Sequence, residues 1–286
     1  MENYYLETGV LREISPYLCN KFVRDHCYTS IHSLCELLTD LKNDNEFHVK
    51  QKVLNNIFES GITINWDLPH KIILNSFGLE NANNNISKEE IVQINSIIQK
   101  SLDMNSFIQN VNESNSSIYE KICNYDIYYL KGFENEKIRG YNDFQKKYGN
   151  IINDKGELEI LSKSIKSNIN ILVSFIIATR MVIANNISKD NININNINPC
   201  DLFLNYNGNI DIFIYALGFY SLIEIPFNPN IGKKKKNDFN DIFHLTYIRN
   251  TNYFVSRDGL FDKLVKEIFP ENIISINDFK NKLSSY

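Results

Sequence analysis

A chain of 286 residues, 43% hydrophobic and 12% aromatic, has ample material for one large core or two smaller ones. Its net charge of −4 excludes a uniformly basic nucleic-acid binder, so any grip on phosphates must be local. Five cysteines, odd in number and without a CxxC pair, exclude a disulfide scaffold and read as free thiols in a reducing compartment; Cys27 beside His26 lacks a second ligand pair at zinc-finger spacing.

The opening MENYYLETGV carries acids and no apolar core of signal-peptide length. The longest apolar run, Ile169–Ala184, is interrupted by Ser174, Thr179 and Arg180, so no membrane span is expected and the reading is of a soluble, cytoplasmic protein.

Tyr4–Glu7 reads as a first strand, followed by a short helix over Val10–Ile14 that Pro16 interrupts. Cys27–Ser30 is a second strand, and Ser30 is placed to cap a helix whose Ile31, Leu34, Leu38 and Leu41 form one stripe. A helix over Glu46–Ser60 leads through Gly61 into a strand at Ile62–Trp66. Strand, helix, strand, helix, strand with short connections predicts a three-layer α/β fold on a parallel sheet.

After Gly78 strand patterns nearly vanish. Polar breaks at Asn81–Asn85 and Asn112–Ser117 flank a helix opened by the capping box Ser87–Glu90 and running through Leu102. Gly156–Asn186 reads as one long helix, Asn191–Asn198 as a loop, and Asn209–Glu224 as a buried helix. Residues 80–232 are therefore expected to be a large, mostly helical insertion packed against a core formed by residues 1–79 and 233–286.

The chemistry concentrates after it. Lys233, Lys234, Lys235 and Lys236 precede the acidic stretch NDFNDIFHLTYIRNTNYFVSRDGLFD, with Asp238, Asp241, Asp258 and Asp262. Asp241 opens a helical run, Asn252–Ser256 is a buried strand, and Ile273–Ile276 a last one. Asp258 then lies just past a strand's C-terminal end, where ligands collect in parallel α/β sheets. Glu7 ends the first strand and Glu36 lies on the second strand's helix, so four acids occupy related places. For His244, three residues after Asp241, a core or helix-face role is expected ahead of the alternative, contact with substrate.

Four segments, YLETGVL, TSIHSLCEL, NDFNDIFHLTY and YFVSRD, together resemble the PIN domain, a family of metal-dependent ribonucleases. The first is similar to that family's opening L-D-T-N-V-L, the second to its S-x-x-T-x-x-E-L helix with Ser30 six residues before Glu36, and the last to its T/S-x-D ending. Glu7 stands where the family has Asp, and Gly9 where it has Asn or a similar polar residue.

The resemblance implies a PIN-like core in which Glu7, Glu36, Asp241 and Asp258 hold Mg²⁺ or Mn²⁺ for hydrolysis of RNA phosphodiester bonds. Hard cations take such oxygen ligands and activate water for in-line displacement. Thr8 and Ser256 would orient carboxylates, Ser30 supports the Glu36 helix, Asp238 and Asp262 are reserve ligands, and Lys233–Lys236 contact the nucleic-acid backbone. It also implies an RNA substrate, with DNA as the alternative, and a toxin or defence role checked by an inhibitory partner protein. A degenerate PIN-like protein that binds nucleic acid or a partner without cleaving is the alternative of another class.

Overall fold

The computed structural model describes residues 2–39, 41–80, 85–125, 155–190, 197–224, 238–249 and 252–285. The described strands form one five-stranded, all-parallel sheet in the order β3-β2-β1-β4-β5. They are β1 Asn3–Leu6, β2 Cys27–Ser30, β3 Thr63–Asn65, β4 Asn252–Ser256 and β5 Ile273–Ser275. The chain starts in the middle of the sheet, builds outward to β3, and returns on the other side of β1 as β4.

Both faces of the sheet are covered, which is why its central strands read as near-continuous apolar runs. Successive β1 residues point to opposite faces: Tyr4 and Leu6 join one core, and Tyr5 joins the other. Phe254 and Val255 of β4 divide in the same way. The first core is filled by the helices Ile31–Leu38, Asp44–Ser60, Lys88–Lys100 and Met104–Ser114, the second by Asp211–Phe219, Asp238–Phe243 and Gly259–Leu264.

Helices from residues 80–232 thus enter both cores: Ile91, Ile94, Ile98 and Phe107 bury beside Leu34 and Phe47, and Phe213 stacks on Phe243. The insertion supplies covering layers for the sheet. The expected capping box at Ser87–Glu90 is present, each side chain bonding the other's backbone N–H.

Several local expectations are corrected. The polar stretch 112–117 is helical apart from one turn residue, Asn115; its polar residues line the exposed side of a helix that buries Phe107 and Val111. The single helix over 156–186 is two, Lys155–Ser167 and Ile169–Asp190, because Asn168 Oδ1 accepts from the N–H groups of Asn170 and Ile171 and starts the second. Ile276 belongs to the helix Ile276–Ser284, which Ser275 caps. Asp241 is the fourth residue of Asp238–Phe243 and not its opening one, and a 3₁₀ turn, His244–Tyr247, follows.

Ile169–Ser188 is long and apolar enough to cross a membrane by length and composition, at mean hydropathy 1.6, so Ser174, Thr179 and Arg180 do not interrupt it as expected. Here it packs on Asp211–Phe219: a Cβ on Gly218 would lie 2.4 Å from Thr179 Oγ1, an approach only glycine permits.

Candidate functional site

The strand order reverses between β1 and β4, so the connections leaving their C-terminal ends diverge and open a crevice. Glu7 and Thr8 follow β1 on one side, and Arg257 and Asp258 follow β4 on the other. Glu36 comes from the helix after β2, and Asp241 and His244 from the segment before β4. Together they line a cavity of about 480 Å³.

Glu7 is buried and turns back over its own helix, where its carboxylate accepts from Gly9 N as the N-cap of Thr8–Ile14. A Cβ on residue 9 would stand 3.0 Å from both Glu7 carboxylate oxygens and 3.1 Å from Arg257 Cδ. The Glu7 carboxylate thus occupies space that a side chain at position 9 would need, so the two positions are coupled.

Glu36 is bound on two sides. Thr8 Oγ1 donates to its Oε2, and His244 Nε2 lies 3.0 Å from the same oxygen. His244, only 2% exposed, has its Nδ1 2.6 Å from the Tyr5 hydroxyl, which in turn lies 2.7 Å from Ser30 Oγ. Tyr5, His244, Glu36 and Thr8 form a continuous hydrogen-bonded chain from the sheet to the cleft.

Charge is unevenly distributed along this wall. Burial alone would raise the Glu36 carboxyl, but the charge and hydrogen bond of His244, with His32 and Thr8, outweigh it and hold it at about 2. Burial lowers His244, yet Glu36, Glu7 and Asp241 together lift it above the ordinary histidine value. Burial, then the negative charges of Glu36, Glu7 and Asp258, drive Asp241 well above the usual carboxylate range, with His244 opposing. Glu7 is also raised, chiefly by burial. Two carboxyls in this cleft thus hold their protons more tightly than they would in water, as crowded acids do.

Cations share the cavity wall. Lys50, 4% exposed, donates to the carbonyls of Thr39 at 2.6 Å and Glu36 at 3.3 Å. Arg12 and Arg257 stand at the mouth in loose pairs with Glu46 and Glu13, at 3.9 and 3.7 Å.

The four acids singled out from the sequence therefore share one cavity, and Thr8 touches one of them directly. Ser256 acts differently from expectation: its Oγ accepts from the backbone N–H of Asp258 at 2.9 Å, shaping the turn and bonding no carboxylate among the described residues. Ser30 caps Ile31–Leu38 as expected. Asp258 is exposed and its carboxylate caps Gly259–Leu264 through Leu260 N at 2.8 Å. Asp262 is not part of the cavity wall; it pairs with Lys266 at 3.2 Å. The side chain of Asp238 and all of Lys233–Lys236 lie outside the described residues.

Sequence reasoning missed His32 and Tyr5, and placed His244 only as far as a core role. The one available signal was spacing: His32 precedes Glu36 by four residues, on the same side of a helix. The fold and site define an α/β protein with an acidic cleft at the switch point of its sheet. Comparison with protein-family models, curated proteins and solved structures finds no match to this chain.

Proposed function

We propose that this chain is a divalent-metal-dependent nuclease of the PIN-like type, hydrolysing phosphodiester bonds in RNA. One observation carries the reading: Glu7, Glu36, Asp241 and Asp258, from four separate elements, line a single cleft at the carboxyl ends of a parallel sheet. The donor set fits a hard cation, because it consists of carboxylate oxygens, and the mutual crowding that raises Asp241 is what a bound cation relieves. Glu7, Glu36, Asp241 and Asp258 would hold Mg²⁺ or Mn²⁺, which would supply an activated water and offset charge on the phosphate.

The chain's own groups do the rest. Arg12 and Arg257 at the mouth, with Lys50 behind, offset an acidic wall that would otherwise repel a polyanion. Thr8 holds the Glu36 carboxylate in one orientation. In this reading Lys233–Lys236, which lie outside the described residues, are the nucleic-acid-binding run that the sequence suggests, and an inhibitory partner would act by covering the mouth, in keeping with a toxin or defence role.

Cleavage of labelled single-stranded RNA and DNA with Mn²⁺ tests the reading. Asp241→Asn and Asp258→Asn should each reduce metal-dependent cleavage by at least about 100-fold, in line with loss of a metal ligand. Near-full activity in either variant sinks the four-acid site, and cleavage of DNA alone moves the substrate. A second reading, binding without cleavage, draws on the fact that Glu7 and Glu36 already have internal partners. A wild-type melting temperature that is flat across Mn²⁺ concentrations favours it.

A further inference from the structure

The carboxylate reading leaves two buried histidines without a task. His32 and His244, 3% and 2% exposed, have ring centroids 4.6 Å apart; His244 lines the cleft and His32 lies buried beside it. His32 lies one helical turn before Glu36, so the two share a face. One ligand atom from each of His32, Glu36 and His244 lies within 4.8 Å of the other two, and His244 Nε2 is already 3.0 Å from Glu36 Oε2. Neighbouring ligands around an ion with bonds of about 2.1 Å stand roughly 3.0–3.4 Å apart, so a small inward movement of His32 completes the set.

The outer partners point the same way. His244 Nδ1 is fixed by the Tyr5 hydroxyl at 2.6 Å, leaving Nε2 towards Glu36. His32 Nε2 is 3.2 Å from the Asn240 carbonyl oxygen, while its Nδ1 is buried and has no hydrogen-bond partner among the described residues. Buried polar atoms are nearly always satisfied, and one ring nitrogen anchored to an outer acceptor while the other stays available is how histidine ligands are held.

The geometry points to a nitrogen-containing metal position, His32–Glu36–His244, at the buried edge of the cleft that Glu36 and His244 line, taking a divalent transition ion of the Zn²⁺ type. Two imidazoles and one carboxylate suit Zn²⁺ or Fe²⁺, whereas Mg²⁺ prefers oxygen alone. The position shares Glu36 with the nuclease reading and rests on that reading for nothing else. If both hold, Glu36 bridges an inner ion with the two histidines and an outer, exchangeable one with Glu7, Asp241 and Asp258.

The test is titration of the full chain with Co²⁺, followed by competition with Zn²⁺, with the exposed Cys19 and Cys200 replaced by serine so that surface thiols do not compete. The expected result is one tight site per chain, with a visible Co²⁺ absorption band that Zn²⁺ abolishes and Mg²⁺ does not. His32→Gln and His244→Gln should weaken Zn²⁺ binding by about 100-fold or more, while Asp241→Asn leaves it within a few-fold. Tyr5→Phe removes only the hydroxyl behind His244 and should cost about 10–100-fold, which keeps the inference testable if a histidine variant fails to fold. No Zn²⁺ binding by the parent chain, or equal affinity in all three of His32→Gln, His244→Gln and Tyr5→Phe, overturns it. Histidine-dependent Zn²⁺ binding in a chain that cleaves no RNA or DNA with Mg²⁺ or Mn²⁺ upholds this inference while removing the nuclease reading.

Discussion

His244 Nε2 lies 3.0 Å from Glu36 Oε2, joining residues 208 positions apart in the chain. The imidazole is buried and the carboxylate largely so, with side-chain exposures of 2% and 20%. Such a pair stabilises only while both members are present, because either one alone is left in a poorly solvated place.

His244→Ala should therefore destabilise the metal-free chain by about 2–4 kcal/mol, somewhat below a fully buried pair because Glu36 reaches solvent. Adding Glu36→Gln should recover part of that loss, with a coupling of about 1–3 kcal/mol in a urea-unfolding double-mutant cycle. A coupling near zero would show that the two side chains act independently.

The same groups set a pH profile. Glu36 titrates at about 2 in the fold against 4.5 ordinarily, and His32 at about 4 against 6.5, so what each contributes is present above the ordinary value and lost as pH falls through the folded one. His244 is raised above 6.5, and Glu7 and Asp241 above 4.5 and 3.8, so their contributions are present below those values and lost as pH rises. Without metal the melting temperature should peak between about pH 4.5 and 6.5 and decline towards pH 8. Saturating Mn²⁺ should flatten that decline. A melting temperature that climbs steadily from pH 5 to 8 in chelator contradicts these directions.

Gly9→Ala puts a methyl group 3.0 Å from both Glu7 oxygens, the movable end of a flexible side chain. Helix propensity favours alanine by about 0.5–1 kcal/mol, so stability should hold or rise. Metal affinity should fall by about tenfold as the Glu7 carboxylate is displaced. Glu7→Asp in the same background should restore it, which calorimetric titration with Mn²⁺ would show.

Gly218→Ala forces a Cβ to within 2.4 Å of Thr179 Oγ1 and 2.9 Å of its Cγ2, between two packed helices. Overpacking of this kind should cost about 1–3 kcal/mol in urea unfolding, and Thr179→Ala should recover most of it. An unchanged midpoint for Gly218→Ala would mean that the Ile169–Asp190 helix does not pack as described.

Native alkylation should separate the thiols. Cys19 and Cys200 are exposed and should react within minutes with iodoacetamide. Cys27 and Cys35 are buried, and burial pushes the Cys27 thiol far up, so both should label only on unfolding, as peptide mass spectrometry would record.

Short-range chemistry carried much of this fold into view. Cys27–Ser30 and Asn252–Ser256 were readable as strands because aromatic and β-branched residues buried on both faces leave a continuous local signature. Ser30 and Ser87 announced their helices because a cap acts across three residues. Asp258 was placed past its strand for the same reason, whereas Glu7, expected to end the first strand, lies one residue beyond it and caps the next helix.

Tertiary structure alone decided what those residues face. No local pattern marks Tyr5 and His244 as partners of Glu36, since hydrogen bonds and charge couplings act over a few ångströms of space and are blind to sequence separation. Nor does a polar run such as 112–117 reveal whether it is a loop or the wet face of a helix until the core beneath it is known. By itself the sequence determined an α/β chain with two acids at or just past strand ends and two within helical segments. The strand order decided that those acids meet, because β1 and β4 are neighbours only once the helices between them have folded against both faces of the sheet.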